Sequence, residues 1–98
     1  MGGMMELSKK TEALQKEVLE VVISHSDSSG QVTANFNGMG LALSVQVSDA
    51  LLSKGAEAVS RATTEAVVEG QKKSQQYYVQ RLSALYQESG LPGMMGGK

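Results

Sequence analysis

Residues 31–47 constrain this chain more than any other stretch. Val32, Ala34 and Phe36 alternate with Gln31, Thr33 and Asn35, and Leu41, Leu43, Val45 and Val47 alternate with Ala42, Ser44 and Gln46. Period-two alternation is the pattern of a strand with one apolar and one polar face. Between the two runs lies Asn37-Gly38-Met39-Gly40, where Asn-Gly favours the left-handed backbone of a tight hairpin. Upstream, Val18-Leu19-Glu20-Val21-Val22-Ile23-Ser24-His25 is rich in β-branched residues, so a helix must give way to a strand within it. Asp27-Ser28-Ser29-Gly30 then supplies a second turn. Three strands joined by two short turns predict an antiparallel meander with one apolar face.

The flanks read as helix. From about Met5 to Glu20, Leu7, Thr11, Leu14 and Val18 recur at spacings of four, three and four, which makes a single seam. Glu6, Lys9, Lys10, Glu12, Lys16 and Glu17 occupy the solvated faces, with Glu12 placed to pair with Lys16. A helix of about four turns is marginal alone and needs a partner for its seam. After the strands, Ser48-Asp49 caps a short turn through Leu52, and Lys54-Gly55 breaks it. Ala56 to about Ser89 holds no Pro and one Gly, so it predicts one long helix ending at Gly90. Ala62, Ala66, Gly70 and Ser74 form an i,i+4 row of small side chains on its buried side. Such a row admits a close backbone, a packing reason for a glycine that costs about 1 kcal/mol against Ala in a helix.

The fold class is therefore α+β in the order α-β-β-β-α, a three-stranded meander covered by a long C-terminal helix. Residues 1–98 make one domain, with flexible ends at about 1–4 and 90–98. The first helix and the distal half of the last overhang the sheet, each with a seam the small sheet cannot bury. A symmetric homodimer is the simplest way to cover them.

Several function classes are disfavoured. The chain has no cysteine, hence no disulfide framework or thiolate metal site. His25 is the only histidine, without a second His to build a metal site or a Ser–Asp pair at triad spacing. Gly38-Met39-Gly40 lacks the following helix and the Lys of a phosphate loop. These absences predict no catalytic residues, no cofactor and no metal, and a protein that is not an enzyme. No apolar run is long enough to span a bilayer, so membrane insertion is not expected. Nine basic and ten acidic residues give a formal charge of −1, against the usual basic character of a nucleic-acid binder.

Local motifs nevertheless carry a resemblance. Gly30-Gln31-Val32-Thr33, Asn37-Gly38, Val45-Gln46-Val47-Ser48 leading into Leu51-Leu52, and the tail Gly90-Leu91-Pro92-Gly93-Met94-Met95 resemble the YbaB/EbfC family, over about Leu7 to Met95. The resemblance implies a tweezer-like homodimer with helical arms on a sheet-bearing body. It also implies duplex DNA as partner and a cytoplasmic, nucleoid-associated location. The chain departs from the family pattern in a shorter first helix and an abbreviated Gly- and Met-rich leader.

The phosphate contacts expected by charge and placement are Lys9, Lys10 and Lys16 on the first helix, with Lys72, Lys73 and Arg81 on the last. The plainer reading is that these are solvated helix faces interleaved with Glu6, Glu12, Glu17 and Glu69. Tyr77 and Tyr78 could stack on bases, though mid-helix neighbours of this kind are more often packed. The alternative function is a protein-interaction adaptor, a targeting or chaperone-like factor in a plastid stroma. Its motives are the near-neutral charge and the Met4, Met5, Met94 and Met95 ends.

Overall fold

The computed structural model describes residues 2–88 and 90, with side chains described from residue 5 onward. The order is α1 (Gly2–Leu19), β1 (Val22–Ser26), β2 (Val32–Asn37), β3 (Ala42–Val47), α2 (Asp49–Leu52) and α3 (Ala56–Glu88). The predicted α-β-β-β-α order is present. The tail 91–98, with Met94 and Met95, lies outside the described residues.

α1 begins at Gly2, ahead of the expected start at about Met5, and its seam is the one read from spacing. Leu14 and Val18 are buried, and Leu7 and Thr11 are half-buried. The helix closes tightly at Leu19, with the Glu20 N–H on the Glu17 carbonyl at 3.1 Å and the Val21 N–H on the Val18 carbonyl at 3.2 Å. The β-branched run then takes over as β1.

The three strands form one antiparallel sheet in the order β1-β2-β3. Its outer face is a polar ladder: Ser24 Oγ donates to Asn35 Oδ1, and Asn35 Nδ2 donates to Ser44 Oγ at 3.0 Å. On the inner face, Val32, Ala34 and Phe36 are fully buried and meet Leu51 and Ala66 in the core. Val47, Val59, Ala62 and Val67 pack around them.

Both turns are fastened by a buried side chain. The Asp27 carboxylate accepts the Gln31 and Val32 N–H groups at 2.9 Å each and the Ser29 hydroxyl at 2.6 Å. These donors, the Ser29 hydroxyl foremost, hold its carboxyl at about 2, below the ordinary aspartate value. In the second turn, Asn37 Oδ1 accepts the Met39 N–H at 2.9 Å and the Leu41 N–H at 3.1 Å. The left-handed residue there is Gly40, at φ +94°, and not the Asn37-Gly38 pair that the dipeptide rule suggested. Gly38 is required for space instead. Its N–H bonds the Val18 carbonyl at 2.8 Å, and a Cβ there would lie 2.7 Å from that oxygen. Tertiary contact with α1 therefore replaces local hairpin chemistry at Gly38.

α3 runs for 33 residues, about 50 Å at 1.5 Å per residue, and the molecule measures 61 × 28 × 14 Å. Its proximal half seats on the sheet through the small-residue row, with Ala66, Gly70 and Ser74 buried. A Cβ on Gly70 would lie 2.5 Å from Phe36 Cε1 and 3.2 Å from His25 Cβ, which explains the glycine. The Ser74 hydroxyl donates to the Asn37 carbonyl, tying the helix to the end of β2. Beyond Ser74 the helix runs past the end of β2 and also packs on α1.

The expected single apolar face is only partly covered. α3 sits over β1 and β2, and one helix about 10 Å wide does not span three strands set about 4.8 Å apart. A register shift at Asn35/Phe36 also places Ala42, rather than Leu43, opposite Phe36. Leu41, Leu43 and Val45 are left exposed.

Candidate nucleic-acid interface

Charge is sorted along α3 in a way that the total of −1 conceals. From Ala56 to Gly70 the helix carries Glu57, Glu65 and Glu69 against Arg61. From Gln71 to Glu88 it carries Lys72, Lys73 and Arg81 against Glu88. Lys72 and Lys73 stand just before Ser74, where the helix still seats on the sheet, and Arg81 lies farther along. Counting charge in halves of the helix would have exposed this; the chain-wide sum hides it.

The six expected phosphate contacts fall into two groups. Lys9, Lys10 and Lys16 are exposed on α1, and Lys72 and Lys73 are exposed on α3. Lys72 makes a loose contact with Glu69 at 3.6 Å, one turn earlier, and such surface pairs are weak enough to be exchanged for a phosphate. Lys73 Nζ donates to the Ser24 carbonyl at 3.3 Å, which leaves its remaining protons free for another acceptor.

Arg81 is differently employed. Its Nη1 lies 2.8 Å from Glu17 Oε2 and donates to the Tyr77 hydroxyl at 3.0 Å, and its guanidinium carbon stands 5.9 Å from the centre of the Tyr77 ring. The hydrogen bond it donates to Glu17 raises the Arg81 pKa, and the same bond lowers that of Glu17. Arg81 thus ties α1 to α3. Tyr78 does the same across the junction, its hydroxyl accepting Gln15 Nε2 at 3.4 Å. Both tyrosines are half-buried between the helices, which accords with packing and leaves little free ring for stacking.

Neutral donors surround the lysines. A shallow groove of about 490 Å³ is lined by Lys72, Gln75, Gln76, Val79 and Gln80. A second, of about 260 Å³, lies between β1 and α3 and includes Ile23, Lys73, Gln76 and Gln80. Exposed amides interleaved with ammonium groups are suited to a sugar-phosphate chain, which takes N–H donors of either kind. The glutamines went unremarked in the charge-based reading because they carry no charge.

Among the described residues no cluster of three or more His, Cys, Asp or Glu could hold a metal ion, and no helix is long and apolar enough to cross a membrane. His25 is half-buried on β1 against the Gly70 backbone.

The family model described as the YbaB/EbfC DNA-binding family matches residues 1–89. A Koribacter versatilis protein named as nucleoid-associated is 33% identical over 100 residues, covering 95% of this chain and 99% of its own. The crystal structure of an uncharacterized protein from Helicobacter pylori superposes with a TM-score of 0.63 at 23% identity, covering 74% of this chain and 86% of that one. The last likeness is one of fold.

Proposed function

Because the chain belongs to the YbaB/EbfC DNA-binding family, we propose that it is a nucleoid-associated protein binding duplex DNA as a homodimer, mainly through backbone contacts. The observation that supports this reading is the net-basic distal half of α3, on which Lys72 and Lys73 are exposed, together with the exposed lysines of α1. Lys9, Lys10, Lys16, Lys72 and Lys73 contact phosphates, with Gln76 and Gln80 adding neutral donors. Arg81 first holds α1 in place. Sequence preference is weak, because phosphate and sugar contacts fix position without reading bases. The location that follows is the nucleoid, within the cytoplasm. The name of the Koribacter versatilis relative supports it.

The test is fluorescence anisotropy with a labelled mixed-sequence duplex at low and near-physiological salt. Affinity is expected to fall steeply with salt, since each neutralised phosphate releases condensed counterion. Lys9→Glu with Lys10→Glu, and Lys72→Glu with Lys73→Glu, are each expected to weaken binding at least tenfold with the fold intact. Binding indifferent to salt and to both reversals would overturn the backbone-contact reading. No binding at micromolar protein in low salt would overturn DNA as the partner and favour the protein-interaction adaptor.

A further inference from the structure

Asn37-Gly38 is a dipeptide prone to lose its side-chain amide, because a following glycine puts no Cβ in the way of the reaction. The Gly38 nitrogen attacks Asn37 Cγ, the side-chain nitrogen departs with a proton as ammonia, and a cyclic imide closes between the two residues. Water then opens the imide at either carbonyl. Opening at Cγ gives aspartate; opening at the main-chain carbon gives isoaspartate, which carries an extra methylene in the main chain. The sum is amide plus water giving acid plus ammonia, with no oxidant or further reactant. Asn35, the other asparagine of the chain, precedes Phe36, whose bulk slows the same attack.

The fold imposes this dipeptide and then shields it. Gly38 lacks a side chain because a Cβ would stand 2.7 Å from the Val18 carbonyl oxygen. Its N–H donates to that same oxygen at 2.8 Å, and both Asn37 and Gly38 are buried. A proton held there is out of reach of base, so the nitrogen is not freed to attack. The side chain is restrained as well: Oδ1 accepts the Met39 and Leu41 N–H groups, whereas ring closure needs freedom to bring Cγ onto the nitrogen. The Asn37 main-chain carbonyl, one of the two points water would attack, accepts the Ser74 hydroxyl.

Of these restraints, the Val18 carbonyl can leave while the rest stays folded. The core of Val32, Ala34, Phe36, Leu51 and Ala66 contains no residue of α1. α1 is held by Leu14 and Val18, by the Glu17–Arg81 pair at 2.8 Å and by the Gln15–Tyr78 contact at 3.4 Å. An element with so few buried side chains opens at a lower free energy than the whole domain unfolds.

We infer that Asn37 is a site of spontaneous deamidation gated by α1: the reaction proceeds in chains whose first helix has lifted off the β2–β3 turn. The isoaspartate product then bars the return of α1, since the inserted methylene displaces Gly38 from the Val18 carbonyl. The modification is a chemical record of α1 opening, and it does not rest on the DNA reading.

The full chain is incubated in mildly alkaline buffer, folded and in urea. Peptide mapping by mass spectrometry follows the exchange of NH2 for OH at Asn37, with isoaspartate resolved from aspartate by elution. The folded chain is expected to react on the order of 10–100-fold more slowly than the unfolded one, the protection of a local opening. Asn35 should keep its amide in both. Arg81→Ala, which loosens α1, should speed the folded-state reaction several-fold. Val59→Ala, which thins the core under the proximal half of α3 and leaves the α1 contacts in place, should not, with circular dichroism confirming that both variants are folded. A folded chain that reacts as fast as the unfolded one overturns the shielding. A rate unmoved by Arg81→Ala, or raised equally by Val59→Ala, overturns the gate at α1. Purified isoaspartate chains should show faster hydrogen exchange along Thr11–Leu19, and unchanged exchange there overturns the barred return.

Discussion

Arg81 on α3 grips Glu17 on α1 at 2.8 Å while donating to the Tyr77 hydroxyl at 3.0 Å, so a residue of the basic arm is committed to holding the first helix. This pair sets the predictions for the interface. Glu17→Gln removes an acidic group from beside the arm and leaves Arg81 less engaged. It is expected to tighten duplex binding several-fold and to raise the salt slope by about one, as for one added phosphate contact. Arg81→Ala should instead loosen α1, read as faster hydrogen exchange along Thr11–Leu19. Equal affinity in Glu17→Gln and the native chain would mean that Arg81 never reaches DNA.

The lysines at Lys72 and Lys73 bear on the number of contacts. Replacing both with Ala is expected to lower the salt slope by about two per bound chain and weaken binding similarly across unrelated duplex sequences. Titration of two duplexes of differing sequence checks both points. A loss confined to one sequence would indicate base readout.

Gly70 tests the seating of α3. Alanine is the better helix former by about 1 kcal/mol, yet its Cβ would meet Phe36 Cε1 at 2.5 Å. Overpacking of this kind costs about 1–3 kcal/mol, so Gly70→Ala is expected to lower stability in spite of its helix propensity. Gly70→Ala combined with Phe36→Leu should recover part of the loss. Urea melts of the native chain, the two single variants and the double variant measure the coupling.

Asp27 sets the acid limb. Its folded-state value of about 2 lies below its ordinary value of 3.8. A group depressed on folding contributes stability that is full above the unfolded value and is lost as pH falls through the folded one. Asp27 therefore contributes fully above about pH 4, and its contribution drains between there and about pH 2. Asp27→Asn should be less stable at pH 7 and should show a flatter loss across this window. Thermal melts at intervals from pH 2 to 7 give both curves.

What the sequence by itself determined was local. The seam of Leu7, Thr11, Leu14 and Val18 needed only helical spacing to be legible, and its two buried members lie where spacing put them. Val32, Ala34 and Phe36 declared a buried face by alternation, and the small-residue row ending at Ser74 announced a close backbone approach. The family resemblance likewise rested on short contiguous motifs, which a linear chain displays directly.

Tertiary structure decided what depends on residues distant in sequence. Gly38 is glycine because the Val18 carbonyl lies against it, and no local turn rule contains Val18. Leu43 and Val45 share their alternation with Val32 and Ala34, yet α3 covers only the latter pair, because a helix is narrower than three strands. Arg81 and Lys72 look alike as charges on one helix, but packing of α1 beside Tyr77 gives Arg81 a carboxylate partner and leaves Lys72 largely in water. Periodicity fixes which face a side chain takes; what stands opposite that face is set only when the elements pack.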